Sequence, residues 1–413
     1  MSASNSQTCF TAKSKGRTDR GLKTENKSTQ VLIMIADLVK KKEKKVEYIE
    51  LIYDLIFVYI IGRNNQLLHN FEGGFIEIKS FFAYALCTLA VIQIWNFTTF
   101  YINMFGRNSA RDHIFLFVNM YLLYFIGQST RTDWLDYQAQ YHIAWGLILV
   151  NIGLQYVIEY RNHKGDNDNR TLIKNISTVL FAEAVIVIVA AFVSPVLSSI
   201  LSAAAICLGI AFTALSRKNT PDGLVDFDHL TERAMLYVVF TFGEMIISLS
   251  GYFDGEFSFN SLYFSVMGFL IVVTLFLSYE TLYDHIVDRE QQNNGLSYML
   301  IHIFLIFGLN NITVALEFMR EEEIDLMPKM LFLLGSFLLY FLCIFLLGRY
   351  AKRRCMFNRK FITLMSSSAA VFVGAMLVFR ENMKINILLT VIYGFSVFLI
   401  IHKFGRAQKE ETP

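Results

Sequence analysis

Residues 328–350 read PKMLFLLGSFLLYFLCIFLLGRY, and between Lys329 and Arg349 no side chain carries a charge. A bilayer core of about 30 Å is crossed by roughly 20 apolar residues of helix, so this stretch is long enough to span a membrane. Strands of an outer-membrane barrel are about 10 residues long and alternate apolar with polar side chains. That pattern is absent here, and the stretch reads as a helix.

Working outward, eleven further stretches have the same character. Five accompany 328–350 in the second half of the chain, at 229–250, 259–283, 296–319, 361–379 and 385–402; six lie in the first half, at 48–70, 80–104, 111–129, 138–160, 171–193 and 195–216. The expected fold is an all-α integral membrane protein of about twelve transmembrane helices, with little chain left for a soluble domain. Composition agrees. Charged residues make up 17% of the 413, against about 25% in soluble domains. A net charge of +2 excludes a nucleic-acid binder that works by bulk charge.

Orientation follows from Lys and Arg, which concentrate on cytoplasmic connections. One set of connections, including both termini, holds 28 of the 37 basic residues, and the other set holds six. Both termini are therefore expected in the cytoplasm, with the chain crossing the plasma membrane. The expected organisation is a basic, disordered tail over 1–45, six-helix halves over 46–217 and 218–403, and a short tail over 404–413. Residues 31–39 are too short to span and a lysine-rich run follows them, so a cleaved signal peptide is not expected; Met34 is a candidate start. Cys9, Cys87, Cys207, Cys343 and Cys355 show no paired spacing, so neither a disulfide framework nor a metal site is expected, and no cofactor motif is present.

Ionisable residues inside such spans are costly, by about 2.5 to 3.5 kcal/mol each on insertion scales, and should face the bundle interior with partners. Glu47, Glu50 and Asp54 open the first span at i, i+3, i+7 and share one helical face. Glu47 equally suits a helix start beside water. Glu232 and Arg233 open the seventh span, and Glu244 follows one residue after Gly243. Arg233 is the expected counter-charge for Glu50 or Asp54. Twelve residues beyond Glu50 and Glu232 lie Gly62 and Glu244, so Gly62 and Gly243 are expected as hinges at similar depth, and the halves as parallel six-helix repeats. Glu183 and His302 sit near the middle of their spans; each reads as a coupling group or as a hydrogen-bonding core residue.

Val46–Val58 (VEYIELIYDLIFV) and Thr231–Glu244 (TERAMLYVVFTFGE) resemble the bacterial low temperature requirement A (LtrA) family of membrane proteins. The first matches that family's Glu-Leu, aromatic, Asp-Leu, Phe-Val opening, and the second its Glu-Arg followed by Gly-Glu. The resemblance implies a part in growth at low temperature and names no reaction. Its matched polar positions are Glu50, Asp54, Glu232, Arg233, Gly243 and Glu244.

The expected function is a transporter or proton-coupled carrier, with a solute or proton held between the first and seventh helices. The competing readings are an intramembrane lipid-modifying enzyme and a non-catalytic membrane sensor or scaffold. No HExxH, GxSxG or Walker A motif favours an enzyme. The expected partners are the lipid bilayer and a small solute or proton, with no nucleic acid.

Overall fold

A computed structural model describes residues 44–131, 133–163, 167–216, 224–253, 258–319, 321, 323–355 and 357–410. The expectations for Cys9, the tail before residue 44 and the start at Met34 lie outside them. The described chain forms α1 (Tyr48–Asn64), α2 (Ile78–Phe105), α3 (Ala110–Ser129), α4 (Trp134–Asn162), α5 (Asn167–Ala190) and α6 (Pro195–Ser216). The second half gives α7 (Phe227–Ser248), α8 (Phe259–Thr281), α9 (Leu296–Glu317), α10 (Leu326–Leu347), α11 (Arg359–Val378) and α12 (Met383–Glu410).

Ten of the twelve are long and apolar enough to cross a membrane, which makes the chain a multi-pass membrane protein. The expectation of twelve such helices is corrected at α1 and α3. α1 has 17 residues and carries Glu50, Asp54 and Arg63; α3 opens with Arg111 and Asp112. Both are packed against the bundle: α1 lies against α2, α3 and α7, and α3 against α4. Outward-facing apolar side chains such as Val378, 76% exposed, form the surface that lipid would cover.

The first span also ends earlier than the expected 48–70. Asn64 donates from Nδ2 to Thr88 Oγ1 at 3.3 Å, and a single 3-10 turn runs over Asn65–Leu68. A two-residue hairpin follows, Phe71–Glu72 paired with Phe75–Ile76, so the fold is not wholly helical. Its turn is Gly73-Gly74 with φ of 61° and 80°, the left-handed conformation that glycine adopts without steric cost. The hairpin docks on the start of α10 through the Asp325 N–H, which donates to Gly74 O at 2.8 Å. At the other end of the chain α12 continues to Glu410, past the expected boundary at 403.

Because the chain reverses at each connection, the starts of α1 and α7 and the end of α2 lie at one end of the bundle. We call this the terminal end, and the end bearing the β-hairpin the hairpin end. Within the halves, α1 packs on α2 and α3, α2 on α4 and α6, α3 on α4, α4 on α5 and α5 on α6. In the second half α7 packs on α8 and α9, α8 on α12, α9 on α10, α10 on α11 and α11 on α12.

Candidate functional site

At the start of α1, Glu47 caps the helix and the Glu50 carboxylate turns back to accept the Glu47 N–H at 3.4 Å, a reciprocal capping box. One turn deeper on the same face stands Asp54. α7 begins similarly: the Asp226 carboxylate accepts the His229 N–H at 3.2 Å, which fixes the helix start six residues before Arg233.

These two helix starts meet in a buried ion cluster. Arg233 and Asp54 have no exposed surface and Glu50 has 2%. Arg233 Nη1 donates to Glu50 Oε2 at 2.7 Å, Nε donates to Asp54 Oδ2 at 3.3 Å, and Nη2 donates to Asp54 Oδ1. The planar guanidinium thus spans two carboxylates one helical turn apart, a bite that a lysine's single ammonium could not reproduce. Trp95 of α2 donates from Nε1 to Asp54 Oδ1 at 2.8 Å, and its ring packs 4.5 Å from that of Tyr237.

His229 completes the terminal side of the cluster, with Nε2 3.6 Å from Glu50 Oε2. Asn103 fixes its tautomer. The Asn103 Oδ1 accepts the Asp226 N–H at 3.0 Å, and Nδ2 donates to Asp226 O at 2.8 Å and to His229 Nδ1 at 3.0 Å. Since Nδ1 accepts, the imidazole hydrogen sits on Nε2, facing the Glu50 carboxylate. On the other side of α1, Tyr53 OH lies 3.1 Å from Thr98 Oγ1 and accepts from Asn119 Nδ2 at 3.3 Å. Asn119 Oδ1 in turn accepts from Asn151 Nδ2 at 2.8 Å, so a polar seam runs from the cluster through α2 and α3 to α4.

The remaining expected site residues lie elsewhere. Glu232 is half-buried on a neighbouring face of α7 and makes no ion pair among the described residues. Glu244 does not join the cluster: eleven residues beyond Arg233, it lies about 16 Å farther along the axis. There it abuts Gly62, where a Cβ would come 2.5 Å from Glu244 Oε1. Gly62 and Gly243 both lie inside unbroken helix, and Gly62 is the point where α1 makes room for an α7 side chain. His302 is buried on α9, with Nδ1 on Tyr298 O at 2.9 Å and Nε2 on Tyr279 OH at 3.0 Å, a fully bonded core histidine. Glu183 on α5 has no exposed surface, and neither carboxyl oxygen has a hydrogen-bond partner.

Sequence reasoning missed Trp95, Asn103, His229 and Tyr53. His229 was findable, because it precedes Arg233 by four residues and so shares its face. Trp95 and Asn103 carry no charge and gave no signal.

The family model described as the bacterial low temperature requirement A protein (LtrA) matches residues 45–395. No curated protein and no solved structure matches the chain.

Proposed function

The chain belongs to the bacterial low temperature requirement A family, and on that premise we propose that it is a proton-coupled carrier of the plasma membrane. In this reading both termini are cytoplasmic and the Glu50, Asp54 and Arg233 cluster is the coupling site. One observation carries it: the two leading helices are joined by a buried ion pair whose acidic partners both come from α1 and whose only guanidinium comes from α7. A proton added to Asp54 competes directly with Arg233 for the same oxygens and weakens the tie between the halves. Carboxylates placed inside a bundle are suited to exchanging a proton for a change in helix packing.

The carrier architecture is read as two parallel six-helix repeats. In support, the pairs α1 with α2, α1 with α3, α2 with α6, α3 with α4, α4 with α5 and α5 with α6 each have a counterpart six helices later. Two close approaches also correspond. A Cβ on Gly209 of α6 would meet Gln93 of α2, and one on Gly394 of α12 would meet Thr274 of α8. Gln93 lies fifteen residues beyond Ile78 and Thr274 fifteen beyond Phe259, the first residues of their helices.

The test is proton flux in vesicles. Wild type, Glu50→Gln and Asp54→Asn are reconstituted with an internal pH dye and given a pH step. Wild type is expected to equilibrate faster than empty vesicles, and both variants to fall back toward the empty-vesicle rate. Equal rates for all three reconstituted proteins, at the empty-vesicle value, would refute the carrier reading.

A further inference from the structure

A second polar column runs through the first half, away from the ion cluster. It starts at the hairpin end in an open vestibule of about 380 Å³, lined by Glu77, Lys79, Asp133, Asp136, Ala83 and Trp134. Ala83 and Trp134 also line a smaller cavity of about 10 Å³, which is room for a single water. This cavity is walled by His142, Ser198, Ser202 and Trp145. His142 Nδ1 lies 2.7 Å from Gln138 O and donates to it, which leaves Nε2 as an acceptor facing Ser202 Oγ at 2.7 Å and Ser198 Oγ at 3.4 Å.

The next step inward is Glu183. On α4, Gly146 follows Trp145, and a Cβ there would lie 3.3 Å from Ala184 O, so only the inner end of the cavity wall, at Trp145, is level with Glu183. Seven residues separate Ser202 from Gly209 on α6, about 10 Å of helix. The point a Gly209 Cβ would occupy is 3.0 Å from Glu183 Oε2 and 1.8 Å from Gln93 Nε2. The absent side chain is what lets carboxyl and amide share this space. Gln93 is buried and its Oε1 has no hydrogen-bond partner, as is true of both Glu183 oxygens and of Trp145 Nε1. One turn beyond Gly209 and Gln93 the column ends at an apolar cavity of about 30 Å³, lined by Phe97, Phe100, Met104 and Phe212, with Thr213 on its wall.

We propose that Glu183 is the central proton-binding group of a hydrated path through α2, α4, α5 and α6, loaded from the hairpin-end vestibule by way of the His142 pocket. In the loaded state the carboxylate has taken one proton from water on that side and stands as a neutral acid beside the Gln93 amide, whose Nε2 donates to Ile206 O at 3.2 Å; in the empty state that proton has returned to water on the hairpin side. The groups facing Glu183 favour a proton over a metal cation. α2 offers one amide and α6 a glycine, and no Lys, Arg or His lies within ion-pair reach among the described residues. That set is too poor in oxygen to replace a cation's water shell, whereas a proton needs a single acceptor. His142 and Cys87 are the titratable neighbours on the hairpin side.

Infrared difference spectroscopy tests this without any transport assay, so its outcome is independent of the carrier reading. Reconstituted wild type is compared in H2O and D2O across a pH series. The expected result is a protonated-carboxyl stretching band that shifts in D2O, is missing in Glu183→Gln and persists in Glu50→Gln. Glu183→Asp should keep an exchangeable band at a displaced position, Gln93→Leu should displace the Glu183 band, and His142→Phe should slow its exchange. Three results would overturn the proposal: superposable spectra for wild type and Glu183→Gln, a Glu183 band that never exchanges, or a band altered by NaCl rather than by pH. If Glu183→Gln does not accumulate, the displacement in Gln93→Leu, whose carboxyl complement is unchanged, decides the matter.

Discussion

The contact between Asp54 and Arg233 can be measured as a coupling energy, with Glu244 as its internal control. Arg233→Met removes three charge-assisted hydrogen bonds and strands two carboxylates in a site with almost no exposed surface. Breaking a buried pair from one side costs about 3 to 5 kcal/mol. Asp54→Asn is milder. The amide oxygen still accepts from Trp95 Nε1 and Arg233 Nη2, while the amide NH2 now faces the Arg233 Nε–H and one bond is lost. With charge-assisted bonds at roughly 1.5 to 3 kcal/mol and neutral ones near 1, this substitution costs about 3 kcal/mol. Once Asp54 is neutral, deleting the guanidinium sacrifices much less, so the double variant should be more stable than the sum of the single losses by about 2 to 3 kcal/mol. The assay is unfolding in mixed micelles with rising SDS, followed by tryptophan fluorescence, to which Trp95 contributes from inside the cluster. The parallel cycle, Glu244→Gln with Arg233→Met, joins sites about 16 Å apart and should be additive within about 0.5 kcal/mol. A coupling below about 0.5 kcal/mol for Asp54 with Arg233, or a larger one for Glu244, would refute the geometry described above.

Two further outcomes follow from the packing. Glu159, at the end of α4, has no exposed side-chain surface and is ion-paired to Arg111 Nη2 at 2.7 Å, with the more exposed Arg107 at 3.8 Å. Because Arg111 is itself about one-third exposed, Arg111→Ala is expected to destabilise by only about 1 to 3 kcal/mol in the same unfolding assay; a loss indistinguishable from zero would mean that Arg107 compensates fully. Gly394→Ala would set a Cβ 2.3 Å from Thr274 Oγ1 and 2.8 Å from Thr274 Cβ, forcing α8 and α12 apart at a cost of about 1 to 3 kcal/mol, yet it should leave the infrared band of Glu183 untouched; a changed band would tie the two halves together in a way the packing does not suggest.

Most of the helical plan could be read from the sequence because a bilayer imposes its thickness on every span. Length and apolar content therefore located all twelve helices to within a few residues at most ends. α1 shows where that rule weakens. Its stop at Asn64 is made by side chains that find partners across the bundle, Asn64 on Thr88 and Asn65 Oδ1 accepting from Asn310 Nδ2 at 3.0 Å, and such partners are invisible in a linear pattern. The pairing of Arg233 with Glu50 and Asp54 was legible for a related reason: buried charges are rare enough that their partners can be deduced by elimination. Neutral members of the same site were not. Trp95 and Asn103 look like any other residue of a long apolar helix until a carboxylate or an imidazole is placed beside them. The distance of Glu244 from the Arg233 cluster was not legible, because helical periodicity fixes which face a residue is on but says nothing about how far along the axis its partner stands. The twelve-residue spacing that linked Gly62 with Glu244 did correspond to a real proximity. With Glu50 on Arg233 near the starts and Gly62 on Glu244 farther along, α1 and α7 run side by side in the same direction.

If the halves descend from one six-helix unit, their differences show where function was added. The shared element is a glycine on the sixth helix pressed against a polar residue fifteen positions into the second: Gly209 with Gln93, and Gly394 with Thr274. In the second half that approach stays a packing contact, since Thr274 Oγ1 donates to Ile271 O at 2.8 Å and is satisfied. The fifth helix of that half, α11, is also its least buried, and its inner surface is aromatic where Phe372 stacks on Tyr393 at 4.2 Å. In the first half the same approach holds Gln93 with an unpartnered Oε1 beside the bare carboxyl of Glu183, a residue for which α11 has no acidic equivalent. A buried amide oxygen and a buried acid lacking partners are each costly, even though Gln93 Nε2 donates to Ile206 O at 3.2 Å, and a repeat that needed the contact only for packing would be cheaper with a hydroxyl, as at Thr274. The polar column through α2, α4, α5 and α6 is thus better explained by the proton it can carry than by the stability it confers.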